Sequence, residues 1–345
     1  MSERNFPAFF AEVTRPNGDI AGAVRRAFDA ILAGEWTPVQ VAGLAVALRM
    51  LGDRPDVVAA AASSLRASMV AVEHDLATVM DTCGTGGDGL GTWNISTAAA
   101  FIVAGAGVPV AKHGNRAVSS RCGSADVLEA LGVALDVPPE AQSSVLRDAG
   151  IAFLFAPSHH PALRHGGVAR RELGIRTLFN ALGPLASPAR VTHQLLGAYD
   201  DNIRPVLART LAQLGARAAW VVRGADGLDE VSPCGPTSVS ELRDGEVIER
   251  VVHPGEFGFE PMAKETLLGG SRDENAEMIL TVLELKPHPA RDAVVLNAAA
   301  ALCVARGLAP RDARELAESS LASGQAREAL SRLVALSRAR SATQG

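Results

Sequence analysis

Apolar residues recur with a helical period over the first seventy positions. Val24 and Phe28 fall on one face of a predicted helix, and Gly34 marks its end. A second helix is predicted to begin after Thr37, where a capping threonine, a proline and a capping-box glutamine follow one another. An alanine-rich helix should fill 55–69. These patterns predict a small all-helical N-terminal domain without chemistry of its own.

From about position 76, short apolar runs alternate with helical stretches, which indicates an α/β domain with a mostly parallel central sheet. We therefore expect a helical domain over 1–75 and an α/β domain over 76–345. An Asp-Gly pair between two alternating runs predicts a hairpin near position 244, and helices should follow position 273. Strands are predicted over 77–81, 108–111, 151–155, 194–199 and 218–222, and helices over 98–106, 124–132, 161–173 and 203–214.

Composition narrows the class of protein. The chain has 345 residues, of which 48% are hydrophobic and 21% charged, with a net charge of −5. This is the profile of a soluble globular protein, and mild acidity argues against broad binding to nucleic acid or to a membrane surface. The N-terminus has no signal-peptide pattern, and no apolar run is long enough to span a bilayer. The four cysteines form no C-x-x-C pair, so we expect no zinc site, buried cysteines and a cytoplasmic protein.

A glycine-rich loop follows the first predicted strand. Residues 84–89 read Gly-Thr-Gly-Gly-Asp-Gly, and Ser96 and Thr97 open the next helix. The backbone N–H groups of such a loop and helix start can hold phosphate oxygens. The dinucleotide fingerprint is not favoured, because no carboxylate stands about twenty residues on, and no Gly-Lys-Ser/Thr follows to make a Walker loop. A phosphate-binding turn remains, with an ordinary tight turn as the alternative.

A cationic loop lies downstream of the glycine loop. No acidic residue occurs between Asp88 and Asp126, and this interval contains Lys112, Asn115 and Arg116 after a predicted strand. Ligands of open α/β sheets bind at the carboxyl ends of the strands. In a chain with a net negative charge, this local excess of basic residues predicts a phosphate or pyrophosphate site.

Two adjacent carboxylates, Asp229 and Glu230, follow the predicted strand 218–222 through a short loop. Such a pair can be solvated surface charge. It can also hold Mg²⁺, a hard cation that takes carboxylate, hydroxyl and phosphate oxygens. The residues alone leave both interpretations open.

Taken together, these motifs resemble the anthranilate phosphoribosyltransferase family, in order and spacing, over about residues 20–310. The longest shared stretch contains Arg-Thr-Leu-Phe-Asn at 176–180. The resemblance implies a nucleoside phosphorylase/phosphoribosyltransferase-like fold and a homodimer formed through the helical domain. The matching segments are 84–89, 94–97, 112–116, 123–126, 155–157, 160–162, 170–174, 176–185, 227–232 and 269–276.

The resemblance also implies a reaction and its residues. Phosphoribosyl would pass from 5-phosphoribosyl 1-diphosphate (PRPP) to the amine of anthranilate, with release of pyrophosphate, in L-tryptophan biosynthesis. Mg²⁺ would be the cofactor, with Ser96, Asp229 and Glu230 as its ligands. Anthranilate would contact Gly84, His113, Asn115, His160 and Arg170. The PRPP site would comprise Gly84, Gly87, Asp88, Thr92, Asn94, Ile95, Ser96, Thr97, Lys112, His113, Gly114, Asn115, Arg116, Ser119, Ser120 and Ser124.

The residue types suit this chemistry. Cleavage of the bond from C1 to pyrophosphate builds negative charge on the leaving group, which Lys112, Asp229 and Glu230 would help to stabilise electrostatically, the acids through a metal ion. The acceptor is a neutral aromatic amine, so no histidine has to act as a base. An arginine fork such as that of Arg170 binds a carboxylate in bidentate fashion. For His160, capping of a helix competes with a place in the pocket.

Two other functions compete with this interpretation. A nucleoside phosphorylase of the same broad fold would use inorganic phosphate, which does not need the Asp229–Glu230 pair. A degenerate relative that binds nucleic acid would need a basic groove and would lack Arg170. The net charge of −5 disfavours the second alternative.

Overall fold

The computed structural model describes residues 5–86, 89–117 and 121–341. Within them, helices of two groups enclose one seven-stranded sheet. The strands are β1 Met80–Gly84, β2 Val110–Gly114, β3 Ile151–Phe155, β4 His193–Gly197, β5 Ala218–Gly224, β6 Thr237–Arg243 and β7 Glu246–Val252. The helices are α1 Phe6–Thr14, α2 Ile20–Leu32, α3 Pro38–Leu51, α4 Pro55–Ser68, α5 Ile95–Gly105, α6 Ser124–Ala130, α7 Pro139–Ala149, α8 Ala156–His159, α9 Arg164–Leu173, α10 Phe179–Leu185, α11 Ile203–Gln213, α12 Arg272–Leu283, α13 Arg291–Arg306, α14 Pro310–Ala322 and α15 Gln325–Ser341.

The sheet has the strand order β3-β2-β1-β4-β5-β6-β7. The first five strands in this order run parallel, and β6 and β7 form an antiparallel hairpin. Asp244 and Gly245, both with positive φ, make its turn. The predicted fold class, an α/β protein with a small helical N-terminal part and a mostly parallel sheet, is confirmed.

Strand residues alternate between two hydrophobic cores. In β4, Leu195 belongs to the core that contains α5 and α13, and Leu196 belongs to the core that contains α2 and α4. In β5, Trp220 and Val221 divide in the same way. This alternation follows from the two-residue period of a strand and shows that the sheet is covered on both faces.

The second core extends the N-terminal helices. It joins α2, α3 and α4 to α9 and α10, which come more than a hundred residues later. Neither α1 nor α10 is predicted as a helix by the sequence pattern. The proline inside α10 (Pro184) and the short length of both helices account for the weak signal. The domain division at residue 75 stays a prediction.

The strand bounds differ from the prediction most at β1 and β2. β1 and β2 begin two to three positions later than expected and continue through Asp81 and Lys112, both buried. The prediction that Lys112 follows its strand is therefore wrong, since it lies in the middle of β2. The predicted β1 ended at Asp81 and the predicted β2 ended just before Lys112. The fold gives both buried side chains hydrogen-bond partners and continues each strand past them.

Membrane-spanning helices were sought in the described residues. No single helix there is long and apolar enough to cross a bilayer, and one pair, α13 with α14, meets the criterion of length and composition together across a bend of 114°.

One buried amide on α13 holds the loop after β5. The side chain of Asn297 is fully buried, accepts a hydrogen bond from the Val231 N–H (2.9 Å) and donates one to the Val231 carbonyl (3.0 Å). Val231 directly follows the acidic pair, so Asn297 fixes the backbone that carries those carboxylates.

We predict that Asn297→Leu lowers the free energy of unfolding by about 3 kcal/mol, because it leaves one buried N–H and one buried carbonyl without partners. Asn202→Leu is the control, since Asn202 is exposed on the surface and should change stability little. Urea unfolding followed by circular dichroism measures both. Equal stability of the two variants would contradict the role of Asn297.

Candidate active site

The site lies where the strand order reverses, between β1 and β4. Gly84 and Gly197 end these two strands and pair in register. Asp229 lies directly on them: a Cβ on Gly197 would overlap the Asp229 carbonyl oxygen, and a Cβ on Gly84 would stand 2.7 Å from Asp229 Oδ2. The switch point of an open α/β sheet is its usual ligand-binding crevice. The two glycines therefore bring the acidic loop down onto the carboxyl ends of the strands.

A buried ammonium group lies beside the acidic loop. Lys112 is 3% exposed, and its Nζ donates hydrogen bonds to the Thr82 carbonyl and to Ser96 Oγ (3.4 Å). No carboxylate of the described residues forms an ion pair with it. An ammonium group has three N–H donors, so one remains for a ligand. A buried cation held this way is suited to an anion.

Ser96 joins the ammonium group to the acidic pair. Its backbone N–H, in the first turn of α5, donates to Glu230 Oε1 at 3.2 Å. A carboxylate at a helix N-terminus is stabilised by the unpaired N–H groups and the helix dipole. Ser96, Asp229 and Glu230 therefore bring hydroxyl and carboxylate oxygens together at the ends of β1 and β5.

This oxygen donor set fits Mg²⁺. The described residues contain no group of three or more histidine, cysteine, aspartate or glutamate side chains that could hold a metal ion by themselves. Mg²⁺ commonly binds through one or two carboxylates and completes its shell with water and substrate phosphates. Asp229 and Glu230 beside an anion site match that mode of binding.

The glycine loop adopts backbone conformations that favour glycine. Gly86, Gly89 and Gly91 have φ of 71°, 76° and 66°. Thr92 forms an isolated bridge with Leu268, which ties the end of the loop to the segment before α12. Four predicted PRPP-binding residues lie outside the described residues: Gly87, Asp88, Ser119 and Ser120.

The residues that start α5 are held from both sides. Asn94 Oδ1 accepts from the Asn275 side chain at 3.0 Å, and Asn94 Nδ2 donates to the Cys122 carbonyl at 3.3 Å. Ile95 and Thr97 are buried within α5. The hydrogen bonds of Asn94 thus fix the helix start against the loop after β2.

The loop after β2 divides its predicted residues between two environments. Gly114 lies against Ser124, whose hydroxyl donates to the Asn115 carbonyl at 3.4 Å. The Arg116 guanidinium is paired with Asp126 (3.1 Å) and Glu129 (2.9 Å) instead of projecting alone. Its contact with a substrate phosphate would have to compete with these two carboxylates.

Two buried histidines lie next to each other. The ring centroids of His113 and His160 are 5.1 Å apart, and His113 Nδ1–H donates to the Gly183 carbonyl at 3.1 Å. Burial, reinforced by the neighbouring histidines, lowers the pKa of His113 to about 3 and that of His160 to about 4. Both rings are therefore neutral at physiological pH, which suits the binding of a neutral aromatic group.

Arg170 lies on α9, over the Phe179 ring of α10, with its guanidinium carbon 5.7 Å from the ring centroid. Burial lowers the pKa of this guanidinium, and the described residues offer it no ion pair. The same helix α10 holds His113 through Gly183. One helix thus connects the predicted acceptor residues His113 and Arg170.

Three residues of the site are not identified by the sequence reasoning. Gly197 makes room for Asp229, Asp81 is a buried carboxylate that accepts from the His113 N–H of β2, and Asn297 holds Val231. Asn297 did give a signal, since it is a lone polar residue within an apolar run. Gly197 gave none, because its role depends on a loop thirty residues away.

The chain was compared with known proteins. Residues 21–69 match the glycosyl transferase family, helical bundle domain, and residues 76–327 match the glycosyl transferase family, a/b domain. The anthranilate phosphoribosyltransferase of Myxococcus xanthus is 52% identical over 307 residues, which cover 88% of this chain and 90% of that protein.

The chain is also similar to solved structures. The anthranilate phosphoribosyltransferase of Thermus thermophilus has a TM-score of 0.88 at 41% identity, over 92% of this chain and 95% of that one. The enzyme of Saccharomyces cerevisiae in complex with PRPP and Mg has a TM-score of 0.89 at 28% identity, over 98% and 99%. The switch-point crevice, its ammonium group and its acidic pair thus accompany an extensive match in sequence and fold, and the chain belongs to the anthranilate phosphoribosyltransferase family.

Proposed function

We propose that the protein transfers the phosphoribosyl group of PRPP to the amine of anthranilate, giving N-(5-phosphoribosyl)anthranilate and pyrophosphate, a step of L-tryptophan biosynthesis. The single observation that carries the proposal is the convergence of Lys112, Ser96 and the acidic pair Asp229 and Glu230 at the switch point. Family membership supports the choice of substrates, since the yeast relative is known in complex with PRPP and Mg.

The donor side works by charge stabilisation. As the bond from C1 to pyrophosphate breaks, negative charge grows on the leaving group, and Lys112 can donate to it a third N–H that none of the described residues accepts. The buried position of Lys112 strengthens this attraction, because the surroundings screen it less than water would. The backbone N–H groups of the glycine loop and of the α5 start can bind the phosphate oxygens.

Ser96, Asp229 and Glu230 would hold Mg²⁺ next to the pyrophosphate. When bound, the ion supplies neutralisation of the charge that develops on the leaving oxygens. The protein's part is to fix the donors: Gly84 and Gly197 seat Asp229, and Ser96 N–H orients Glu230.

The acceptor side works by positioning. The half-buried guanidinium of Arg170, with no ion pair to a described carboxylate, can bind the anthranilate carboxylate as a fork. The neutral rings of His113 and His160 offer an aromatic surface and no positive charge. The anthranilate amine is neutral and has its lone pair available, so orientation rather than proton removal limits the attack.

We also propose a homodimer formed through the N-terminal helices, in the cytoplasm. On α3, Val39 is 81% exposed and Met50 84% exposed, and Val46 lies between them on the same face. An apolar stripe of this kind marks an association surface. The cytoplasmic location is supported by four cysteines that form no disulfide.

The function is tested by mixing purified protein with PRPP, anthranilate and Mg²⁺ and following the fluorescence of anthranilate. We expect fluorescence to be lost with both substrates and the metal present, and to persist after chelation with EDTA. A parallel assay with thymidine and inorganic phosphate tests nucleoside phosphorolysis. Phosphorolysis in that assay, with anthranilate unchanged in the first, would overturn the proposal in favour of a phosphorylase.

Arg170→Ala should raise the KM for anthranilate roughly tenfold or more, because it removes charge-assisted hydrogen bonds to the acceptor carboxylate. The KM for PRPP should change little. Arg171→Ala is the matched control, since Arg171 is the next residue of the same helix and is exposed. Equal effects of the two substitutions on the anthranilate KM would place the acceptor carboxylate elsewhere.

Met50→Glu should convert the dimer to a monomer, because a charge within an apolar interface is costly to bury. Light scattering coupled to size-exclusion chromatography measures the mass. Ile248→Glu is the control, since Ile248 is an exposed apolar residue on β7, away from α3. A wild-type protein of single-chain mass would contradict the proposed dimer.

A further inference from the structure

β1 and β2 separate at their carboxyl ends, where the site lies. The parallel pairs β1 with β4, β2 with β3, and β4 with β5 each keep five residues in register, whereas β1 and β2 are in register only at Met80 and Val110. Beyond that pair, the two strands are linked by side chains. His113 N–H donates to Asp81 Oδ1 at 3.2 Å, and Lys112 Nζ donates to the Thr82 carbonyl.

The Asp81 side chain lies between β1 and β2 where the two strands separate. Its side chain is fully buried, and Oδ2 has no hydrogen-bond partner among the described residues. A buried carboxylate with one oxygen unpaired costs stability. The two neighbours of Asp81 on β2, Lys112 and His113, both belong to the proposed site.

We propose that Asp81 is a positioning residue for the transfer reaction: its carboxylate holds the ends of β1 and β2 apart and so sets the places of Lys112 and His113. The His113 N–H that a neighbouring strand would otherwise bind is taken by Asp81. With the strands apart, the Lys112 side chain enters between them and reaches Ser96 Oγ.

This inference rests on the proposed function, because it concerns how two residues of that site are placed. Asp81 itself is assigned no contact with a substrate. Its effect should therefore appear in kcat more than in the KM for PRPP, since the Lys112 N–H meets charge that is present only as the leaving group departs.

The titratable groups around Asp81 make its protonation measurable. They are Lys112 and His113 on β2, Cys83 on its own strand, and His160 beside His113. Burial raises the pKa of Asp81 from 3.8 to about 6, although the Lys112 charge opposes the shift. Burial lowers the pKa of both histidines to about 4 or below and raises that of the Cys83 thiol. Of Asp81, Cys83, His113 and His160, Asp81 is the one that changes charge between pH 5 and 8.

The test compares wild type with Asp81→Asn and Asp81→Ala. The amide of Asn can still accept from His113 N–H, whereas Ala cannot, so kcat at pH 8 should fall in the order wild type, Asn, Ala. The fall should reach roughly tenfold to a hundredfold in Asp81→Ala. Wild-type kcat should decline below pH 6, and Asp81→Asn should lack that decline. Substrate groups titrate equally in both proteins, so the difference between the profiles isolates Asp81.

A stability measurement separates positioning from folding. The pKa of Asp81 is higher in the folded than in the unfolded chain, so ionisation costs stability at pH values above about 6, and this cost disappears as pH falls towards 4. Asp81→Asn should therefore melt at or above the wild-type temperature at pH 8. The difference between the two melting temperatures should shrink as the pH falls. Glu241→Gln is the control, because Glu241 is a buried carboxylate in ion pairs with Arg243 and Arg250 on the far side of the sheet.

The outcomes separate the two proposals. If wild-type protein consumes anthranilate and Asp81→Asn has the same kcat and the same pH profile, Asp81 has no positioning role and the proposed function stands. If Asp81→Asn has lower activity and also a lower melting temperature than wild type, Asp81 is structural and the inference is wrong. A wild-type protein without activity overturns the proposed function itself. If Asp81→Ala does not fold, the profile of Asp81→Asn decides alone.

Discussion

The packing of Asp229 on two glycines is the contact from which the site follows. Gly84 and Gly197 end neighbouring strands in register, and neither has room for a Cβ under the acidic loop. Because the acidic loop packs closely against these two glycines, Glu230 reaches the first turn of α5 and Asp229 reaches the end of β1. From above, Asn297 holds the same loop by its backbone. A rigid loop matters here, since electrostatic stabilisation depends on groups that need not move during the reaction.

Cationic and acidic side chains lie close together in this crevice. Lys112 donates to a carbonyl and a hydroxyl, and the acidic pair lies across Ser96 from it. Asp81, on the other face of β1, supplies negative charge at a distance that does not occupy the ammonium group. The arrangement places a buried cation and a pair of carboxylates next to each other at the ends of β1 and β5.

Much of this architecture is predictable from the sequence, and the exceptions have physical causes. Hydrophobic periodicity gave the helical N-terminal part and the parallel sheet, because both depend on local patterns. Candidate residues within a single loop or at a helix start, such as Ser96, could also be proposed from the sequence. The opening between β1 and β2 could not be predicted, since it depends on hydrogen bonds that Asp81 and Lys112 make to the neighbouring strand. The role of Gly197 could not be predicted either, because its small size matters only to a segment that is distant in sequence.

A crystal structure of the protein with PRPP and Mg²⁺ tests the central claim most directly. We predict pyrophosphate oxygens within hydrogen-bonding distance of Lys112 Nζ and of the glycine loop, with a metal ion between those oxygens and the carboxylates of Asp229 and Glu230. A diphosphate bound away from Lys112, with the acidic pair facing solvent only, would contradict the account.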